Sequence, residues 1–504
     1  MEGDHGNFPT DGDSNEQRQI TVDAQVVGDE ITTEGVPNPK VLDPISSALI
    51  LDLFVHFDCF SIGGDDFVPK TFKDSHGVNI SLGLENHPLK WRVHQTFLFN
   101  TQPPQNLSAL LFDQFVAPFF AIPIVLYYSS VEKATSHVKQ SEMSSILKRS
   151  LSDALTLYYP FAGRMKGESS VDCNDEGVDY LEARVDASIS DVVKFPQVEV
   201  VSQFIPSVNY RNGETSDVQL AIQVNFFNCG GLAIGIGFSH RIADGLTLST
   251  FIKAWAAMAR GETSLASPIF ISSSIFPPRD PLGFKQTPDT SQERLITRRF
   301  CFTSSTIAAL KAEVGTCAVH PTRVEMVTAV IWKCAMAQSG LDKSTVTHAV
   351  NVRGKMDPPL PETALGNIFR QAYAYANGIV ELGRLVGELR EGIGKIGSEY
   401  LMKLKSENAY EMIMNNIKKV GELVSNKEVL FLRFTSWCKF PIFEADFGWG
   451  KPIWVSSGSR AIKNSVMLMD SMCSDGGIEA WVTMDEESMM KFEQDPLLLS
   501  FVSS

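Results

Sequence analysis

The pattern of apolar positions predicts regular structure from about residue 108 onward. The run FFAIPIVLYY, residues 119–128, is apolar throughout and favours a buried strand. Between residues 141 and 159 the apolar side chains recur at intervals of three and four residues, and Pro160 follows. This spacing predicts an amphipathic helix that ends at the proline.

Two further apolar runs, VQLAIQVNFFN and GLAIGIGFSH, predict a β-hairpin around Gly230 and Gly231. In the second run, period-two alternation places glycine, alanine and serine on one face and His240 on the other. The small face would allow another strand or a ligand to approach the backbone closely. An amphipathic helix follows from residue 246 to Gly261. His240 therefore lies at a strand-to-helix junction, where loops are open to ligands.

The second half of the chain again mixes strands with helices. Residues 263–292 are rich in Ser, Pro, Thr and Asp, which is typical of a linker. We expect an α/β protein of two similar-sized domains, with an N-terminal domain at 81–269, a crossover linker at 270–292 and a C-terminal domain at 293–504.

Charge and composition narrow the possible partners. The chain has 504 residues and a net charge of −15, which disfavours binding to nucleic acid or to an anionic membrane. Residues 1–45 are strongly acidic with only Arg18 and Lys40 as bases, so we expect residues 1–80 to be a disordered leader or an artefact of gene assignment. The longest uncharged run, residues 114–130, is interrupted by two prolines and is too short for a membrane helix.

The eight cysteines are scattered, with no C-x-x-C pair, and no secretory signal opens the chain. These features predict a cytoplasmic protein with reduced thiols and no metal site.

Two interpretations of His240 follow from the residues alone. It is either a buried histidine that caps its own strand or a general base that removes a proton from an alcohol near neutral pH. Asp244-Gly245 follows closely, and other catalytic patterns are incomplete. The run GFSHR has arginine where a serine-hydrolase elbow needs glycine, and no third ligand accompanies His240 and Asp244 for a metal. The general base is therefore favoured.

The motif HRIADG, residues 240–245, resembles the H-x-x-x-D-G signature of the plant BAHD acyltransferases. The second signature of that family is present as DFGWG at 446–450. Further blocks resemble the family in the expected order: YYPFAGR (158–164), VTAVIWKC (327–334), NVRGKMDPPLP (351–361), GN (366–367) and FTSWC (434–438). The resemblance covers about residues 108–500 and is nearest to the alkaloid- and terpenoid-acetylating members.

The resemblance implies two α/β domains of the chloramphenicol-acetyltransferase type with a channel between them, and residues 446–470 packing on the N-terminal domain. It implies that His240 is the catalytic base, that Asp244 pairs with Arg353 to hold the junction in shape, and that Thr435 and Trp437 lie near the forming oxyanion. Asp446 is a candidate catalytic residue because the two signatures are often paired, although its flanking glycines favour a loop-shaping role. The family's usual N-terminal segment, which borders the acceptor pocket in the relatives, is missing. The resemblance therefore does not identify the acceptor.

The function expected from this resemblance is acyl-CoA-dependent O-acyl transfer, with acetyl-CoA as cosubstrate and an alkaloid or terpenoid alcohol as acceptor, by a monomer. The alternative is a non-catalytic relative that binds a ligand or a partner. Covalent transfer would need a nucleophile such as Cys173, Cys229, Cys438 or Ser239. None of these is placed beside His240 by local geometry, so direct transfer is favoured.

Overall fold

Two six-stranded β-sheets with helices packed on them organise the part of the chain that the structure, a computed structural model, describes. The described residues are 71–73, 79–81, 89–93, 106–108, 121–129, 137–167, 170–194, 196–206, 218–276, 294–314, 320–378, 380–406, 408–458, 462–472 and 476–502.

The strands and helices alternate along the chain. The strands are β1 (Thr71–Lys73), β2 (Asn79–Ser81), β3 (Leu89–Val93), β4 (Asn106–Ser108), β5 (Ala121–Tyr128), β6 (Arg164–Lys166), β7 (Ser170–Asp172), β8 (Val178–Val185), β9 (Leu220–Phe227), β10 (Leu232–Ser239), β11 (Leu295–Phe302), β12 (Lys343–Asn351), β13 (Phe369–Asn377), β14 (Val429–Ser436), β15 (Trp454–Ser456), β16 (Ser465–Asp470) and β17 (Ile478–Asp485). The helices are α1 (His137–Leu157), α2 (Ile189–Lys194), α3 (Val198–Val201), α4 (Gly245–Ala259), α5 (Ser272–Ile275), α6 (Ser304–Val314), α7 (Arg323–Ser339), α8 (Leu382–Gly394), α9 (Ser398–Lys403), α10 (Ala409–Ser425), α11 (Glu486–Phe492) and α12 (Pro496–Phe501).

The first sheet has the strand order β15-β5-β10-β9-β8-β3, and the second has the order β11-β17-β16-β14-β12-β13. Among the neighbouring strands described in the first sheet, β8 and β9 form the one parallel pair, and in the second sheet β12, β14 and β16 run parallel to one another. The predicted hairpin is present as β9 and β10, and the predicted helix at 141–159 is present as α1, with Pro160 in the 3₁₀ turn Tyr159–Ala162. The sequence therefore predicted the elements around His240 correctly.

The small face of β10 accommodates protein backbone. A Cβ atom on Gly235 would come within 1.8 Å of the carbonyl oxygen of Phe204, which belongs to the 3₁₀ turn Ser202–Phe204. The sequence left a strand or a ligand open as the occupant of this face. A backbone turn fills the space.

The second sheet turns its two faces to different neighbours. Even-numbered positions such as Val346, Leu432 and Val482 belong to the core that includes α7. Odd-numbered positions leave the opposite face, and Met467 and Trp481 among them pack into the core of the first sheet. The odd-numbered face of the second sheet therefore looks toward the first sheet.

The structure bears on the expected boundaries at two places. Residues 446–470 divide between the two sheets. β15 pairs with β5 in the first sheet, whereas β16 lies in the second sheet and packs Met467 into the core of the first. The expected packing of this segment on the N-terminal domain stays a prediction. Within the expected leader at 1–80, residues 1–70 lie outside the described residues, and β1 pairs with β2 in an antiparallel ladder. The linker expected at 270–292 lies outside the described residues from residue 277, and the domain limits stay a prediction.

Among the described helices, none is both long enough and apolar enough to cross a lipid bilayer.

Candidate active site

His240 stands immediately after the last residue of β10, and the second half of the chain holds it from the other side. The side-chain amide of Asn367 donates a hydrogen bond to the backbone carbonyl oxygen of His240 at 2.6 Å. The Phe369 ring lies 5.9 Å from the imidazole, centroid to centroid. The imidazole is half-buried, whereas Asn367 is fully buried. His240 thus lies where the two halves of the chain meet.

Asp244 forms the N-cap of α4 and pairs with Arg353. Its carboxylate accepts the backbone N–H of Thr247 at 2.9 Å, which caps the helix. Both guanidinium ends of Arg353 donate to it, at 2.8 Å and 3.1 Å. The backbone N–H of Ile368 adds a further bond at 3.1 Å. The carboxylate oxygens therefore accept from Arg353 and from backbone donors, an arrangement that fixes the turn after His240.

Arg353 is 1% exposed, and its remaining donors are matched as well. It donates to the carbonyl oxygens of Ala364 and Gly366 and to the hydroxyl of Thr247, all at 3.0–3.1 Å. A guanidinium offers several donors in a fixed plane, which suits this set of oxygens. The predicted pairing of Asp244 with Arg353 is present in the structure.

Opposing effects act on the pKa of Asp244. Burial disfavours the charged carboxylate and by itself raises the pKa. The charge and hydrogen bonds of Arg353, together with the Thr247 N–H, outweigh burial and hold the pKa below its ordinary value. The Asp244 carboxylate is therefore ionised at neutral pH, 2.8 Å from the Arg353 guanidinium inside the protein.

Trp437 lies against the beginning of α4. A Cβ atom on Gly245 would come within 2.8–3.0 Å of the Trp437 indole, including its Nε1, so the glycine after Asp244 is required for this contact. The indole is 4% exposed. Thr435 is half-buried near the end of β14, and its side chain projects from the odd-numbered face of the second sheet. The structure thus brings Trp437 beside the Asp244 turn and places Thr435 two residues before it.

Asp446 shapes a loop. One of its carboxylate oxygens accepts the N–H groups of Gly448 at 2.8 Å and Gly450 at 2.9 Å, and both glycines have positive φ, 105° and 102°. Phe447 follows Asp446 in this loop. It is buried, and its ring lies 4.9 Å from the Trp255 ring, centroid to centroid. None of the contacts that the structure describes for Asp446 reaches His240. The geometry supports the loop-shaping role, and the catalytic role stays a prediction.

No role for Asn367 follows from the sequence alone, although Gly366-Asn367 belongs to one of the family-like blocks. An asparagine inside an apolar run is a signal for a buried polar contact, because such a side chain must find partners. Its partner is 127 positions away in the chain. Local pattern could not reveal that distance.

The structure gives no support to a cysteine nucleophile. Burial raises the pKa of the Cys438 thiol to about 11, so this thiol stays protonated at neutral pH. Cys173 is buried, and Cys229 is exposed beside the N-terminus of α2, where the N–H of Ile189 donates to its sulfur at 3.4 Å. No cluster of three or more His, Cys, Asp or Glu side chains suited to a metal is found among the residues described.

Comparisons with known proteins show which family and which solved structures the chain resembles. Residues 107–499 match the Transferase family. The chain is 38% identical to stemmadenine O-acetyltransferase of Catharanthus roseus over 75% of its own length and 89% of the relative's, and 38% identical to limonoid 1-O-acetyltransferase of Citrus sinensis over 79% and 95%. The crystal structure of vinorine synthase superposes with a TM-score of 0.72 at 34% identity, over 83% of this chain and 98% of that one.

Proposed function

Because the chain belongs to the BAHD family of acyl-CoA-dependent acyltransferases, we propose that it acetylates a hydroxyl group of a plant alkaloid or terpenoid, with His240 as the general base. Its fold is that of the chloramphenicol-acetyltransferase-like enzymes, and its activity is O-acyl transfer from an acyl-CoA. The acetyl donor, the acceptor class and the roles of the residues are the proposed part. The names of relatives that acetylate stemmadenine and a limonoid support the acceptor class.

The observation that carries the role of His240 is the way its turn is held. The Asn367 amide fixes the backbone of His240 from the second half of the chain, and the buried pair of Asp244 and Arg353 fixes the turn after it. A base must be held within hydrogen-bond reach of the proton that it removes, and a rigid turn between two halves of the chain does this.

The proposed reaction is direct transfer. The imidazole of His240 takes the proton of the acceptor hydroxyl, and the oxygen attacks the thioester carbonyl carbon. The tetrahedral intermediate then loses the C–S bond, and the proton on the imidazolium passes to the coenzyme A thiolate. Thr435 and Trp437 are proposed to donate hydrogen bonds to the oxyanion.

The test is incubation of the protein with acetyl-CoA and a panel of alkaloid and limonoid alcohols that includes stemmadenine, with products identified by mass spectrometry. We expect one acetyl ester, and His240→Ala should lower kcat by roughly 10²- to 10⁴-fold with an unchanged melting temperature. Near-normal turnover by His240→Ala would remove the base assignment. Malonyl-CoA and aromatic acyl-CoA in parallel assays test the choice of donor.

The absence of a covalent acyl-enzyme is tested separately. Intact-mass analysis after exposure to acetyl-CoA without an acceptor should show the unmodified chain. A stoichiometric adduct that disappears when an acceptor is added would replace direct transfer with a two-step route through a nucleophile.

The enzyme is further proposed to act as a cytoplasmic monomer. Among the described residues, Cys334 is a buried free thiol, which suits a reducing compartment. Sedimentation analysis of the purified protein and the location of a fluorescent fusion in plant cells test the two statements. A stable dimer or a fusion outside the cytoplasm would contradict them.

A further inference from the structure

A half-buried glutamine, Gln371, lies on the face of the second sheet that looks toward the first sheet. Gln371 follows Phe369 by two residues on β13, so the two side chains leave the same face of the strand. The Phe369 ring lies 5.9 Å from the His240 imidazole. A strand advances about 3.3 Å per residue, so the backbone of Gln371 is about 7 Å from that of Phe369. Gln371 therefore lies on the same face as the Phe369 ring that neighbours His240, one side-chain repeat further along β13.

A row across three strands places Gln371 level with Thr435. Gln371 pairs with Ala349 between β13 and β12. His348 pairs with Phe434 between the parallel strands β12 and β14, so the next residues, Ala349 and Thr435, are also neighbours. Ala349, between them, carries only a methyl group and is half-buried. The glutamine and the threonine flank Ala349, about 10 Å apart by the spacing of strands.

The amide oxygen of Gln371 is buried, yet it accepts no hydrogen bond from any residue that the structure describes. Burying an amide oxygen without a donor is unfavourable, and most such groups in folded proteins are satisfied. A methionine side chain at this position would have nearly the same length and would not need a hydrogen-bond donor. A polar group in this state, on the face that looks toward His240, is suited to a donor that arrives with a ligand.

We propose that Gln371 is a substrate-binding residue whose amide oxygen accepts a hydrogen bond from an N–H or O–H group of a bound substrate. The inference rests on the proposed function, because it uses His240 to locate the reacting hydroxyl. Two substrates carry donors of this chemistry. One is a second polar group of the acceptor, and the other is an amide of the pantetheine arm of acyl-CoA.

The test compares Gln371→Met with the wild type in steady-state kinetics, using acetyl-CoA and the alcohol that gives product in the panel. The variant should raise one KM by about five- to tenfold, since a neutral hydrogen bond to a ligand is lost, with kcat changed less than about threefold. A higher acceptor KM assigns the donor to the acceptor, and a higher acetyl-CoA KM assigns it to the pantetheine arm. The matched control is Gln494→Met, at an exposed glutamine between α11 and α12, which should leave both constants unchanged.

Thermal unfolding of the ligand-free protein separates binding from a structural role. Removing an unsatisfied buried oxygen should hold or raise the melting temperature, by up to about 3 °C. A melting temperature lowered by several degrees would show that Gln371 supports the fold, and unchanged KM values for both substrates would show that it touches neither. Either result overturns the proposal. If the wild type acetylates no alcohol, the proposed function is contradicted, and this inference, which rests on it, is contradicted as well.

Discussion

Asp244 and Arg353 form a buried ion pair whose partners lie 109 positions apart in the chain. Arg353 is 1% exposed and Asp244 6%, so neither charge can turn to water if the other is removed. A buried pair is not by itself strong evidence for stability, because desolvation of both charges offsets their attraction. Removing only one partner has a different effect, because it leaves the other charge uncompensated inside the protein.

Asp244→Ala should therefore lower the free energy of unfolding by about 3–5 kcal/mol and reduce the yield of soluble protein together with activity. Urea unfolding followed by circular dichroism measures the first effect. The control is Glu391→Ala, which breaks an ion pair with Lys395 of the same 2.8 Å length on the surface, and it should leave the unfolding curve in place. A stable, folded and inactive Asp244→Ala would indicate a chemical role for the carboxylate.

His348 gives the stability a dependence on pH. Its ring is 7% exposed and stacks on Phe434 with 10° between the planes. Burial lowers the pKa of His348, and it outweighs the Ala349 carbonyl and Glu325, which act in the opposite direction. The unfolded chain binds a proton there below about pH 6.5, whereas the folded protein does so only at lower pH. Stability is therefore complete above that pH and falls as the solution becomes more acidic.

We expect the free energy of unfolding of the wild type to fall between pH 7.5 and 5.5 more steeply than that of His348→Phe, which keeps the stacked ring and cannot titrate. Urea titrations at several pH values measure the two slopes. Equal slopes would show that His348 does not contribute to the pH dependence.

The strand β10 depends on a glycine for its packing against the 3₁₀ turn Ser202–Phe204. The 1.8 Å approach of the Phe204 carbonyl oxygen to a Cβ on Gly235 involves backbone, which cannot rotate away as a side chain could. The close contact therefore fixes the path of the strand that ends at Ser239, next to His240.

Gly235→Ala should destabilise the protein by about 3 kcal/mol or more, because either the strand or the turn must shift. Gly387→Ala is the matched control. Gly387 lies exposed in α8 with nothing within 4 Å of an added Cβ, so alanine should stabilise the helix by about 0.5–1 kcal/mol. Chemical denaturation of both variants tests the pair, and equal effects would contradict the packing argument.

At the scale of the whole molecule, the two sheets are joined by core packing, by strand pairing and by side-chain hydrogen bonds. Met467 and Trp481 of the second sheet pack into the core of the first, and β15 returns from the second half to pair with β5. The indole of Trp454 in β15 donates to Glu479 of β17 at 3.2 Å, and Glu479 pairs with Arg299 at 3.3 Å. These contacts couple the two halves.

We expect a single cooperative unfolding transition in differential scanning calorimetry, with a calorimetric enthalpy close to the van't Hoff enthalpy. Two resolved transitions would show that the halves unfold separately and that the contacts across β15 contribute little.

The sequence could predict the elements that carry their own signals. Period-two alternation revealed β10, helical spacing revealed α1 and α4, and the motifs singled out His240, Asp244 and Arg353. It could not predict the bond from Asn367 to His240 or the position of Gln371 level with Thr435 across β12. Those depend on strand register and on chain segments that are distant in sequence, and no local pattern encodes either.

The strand β15 also limits how such enzymes can be recombined. Trp454–Ser456 is encoded in the second half of the chain but completes the edge of the first sheet against β5. A chimera that joined the first half of this protein to the second half of a relative would give its first sheet a foreign edge strand, and with it a foreign partner for Tyr127 and Leu126. Exchange of halves at the linker would therefore not exchange independent modules, and a functional hybrid would have to carry β15 over with the sheet that it completes.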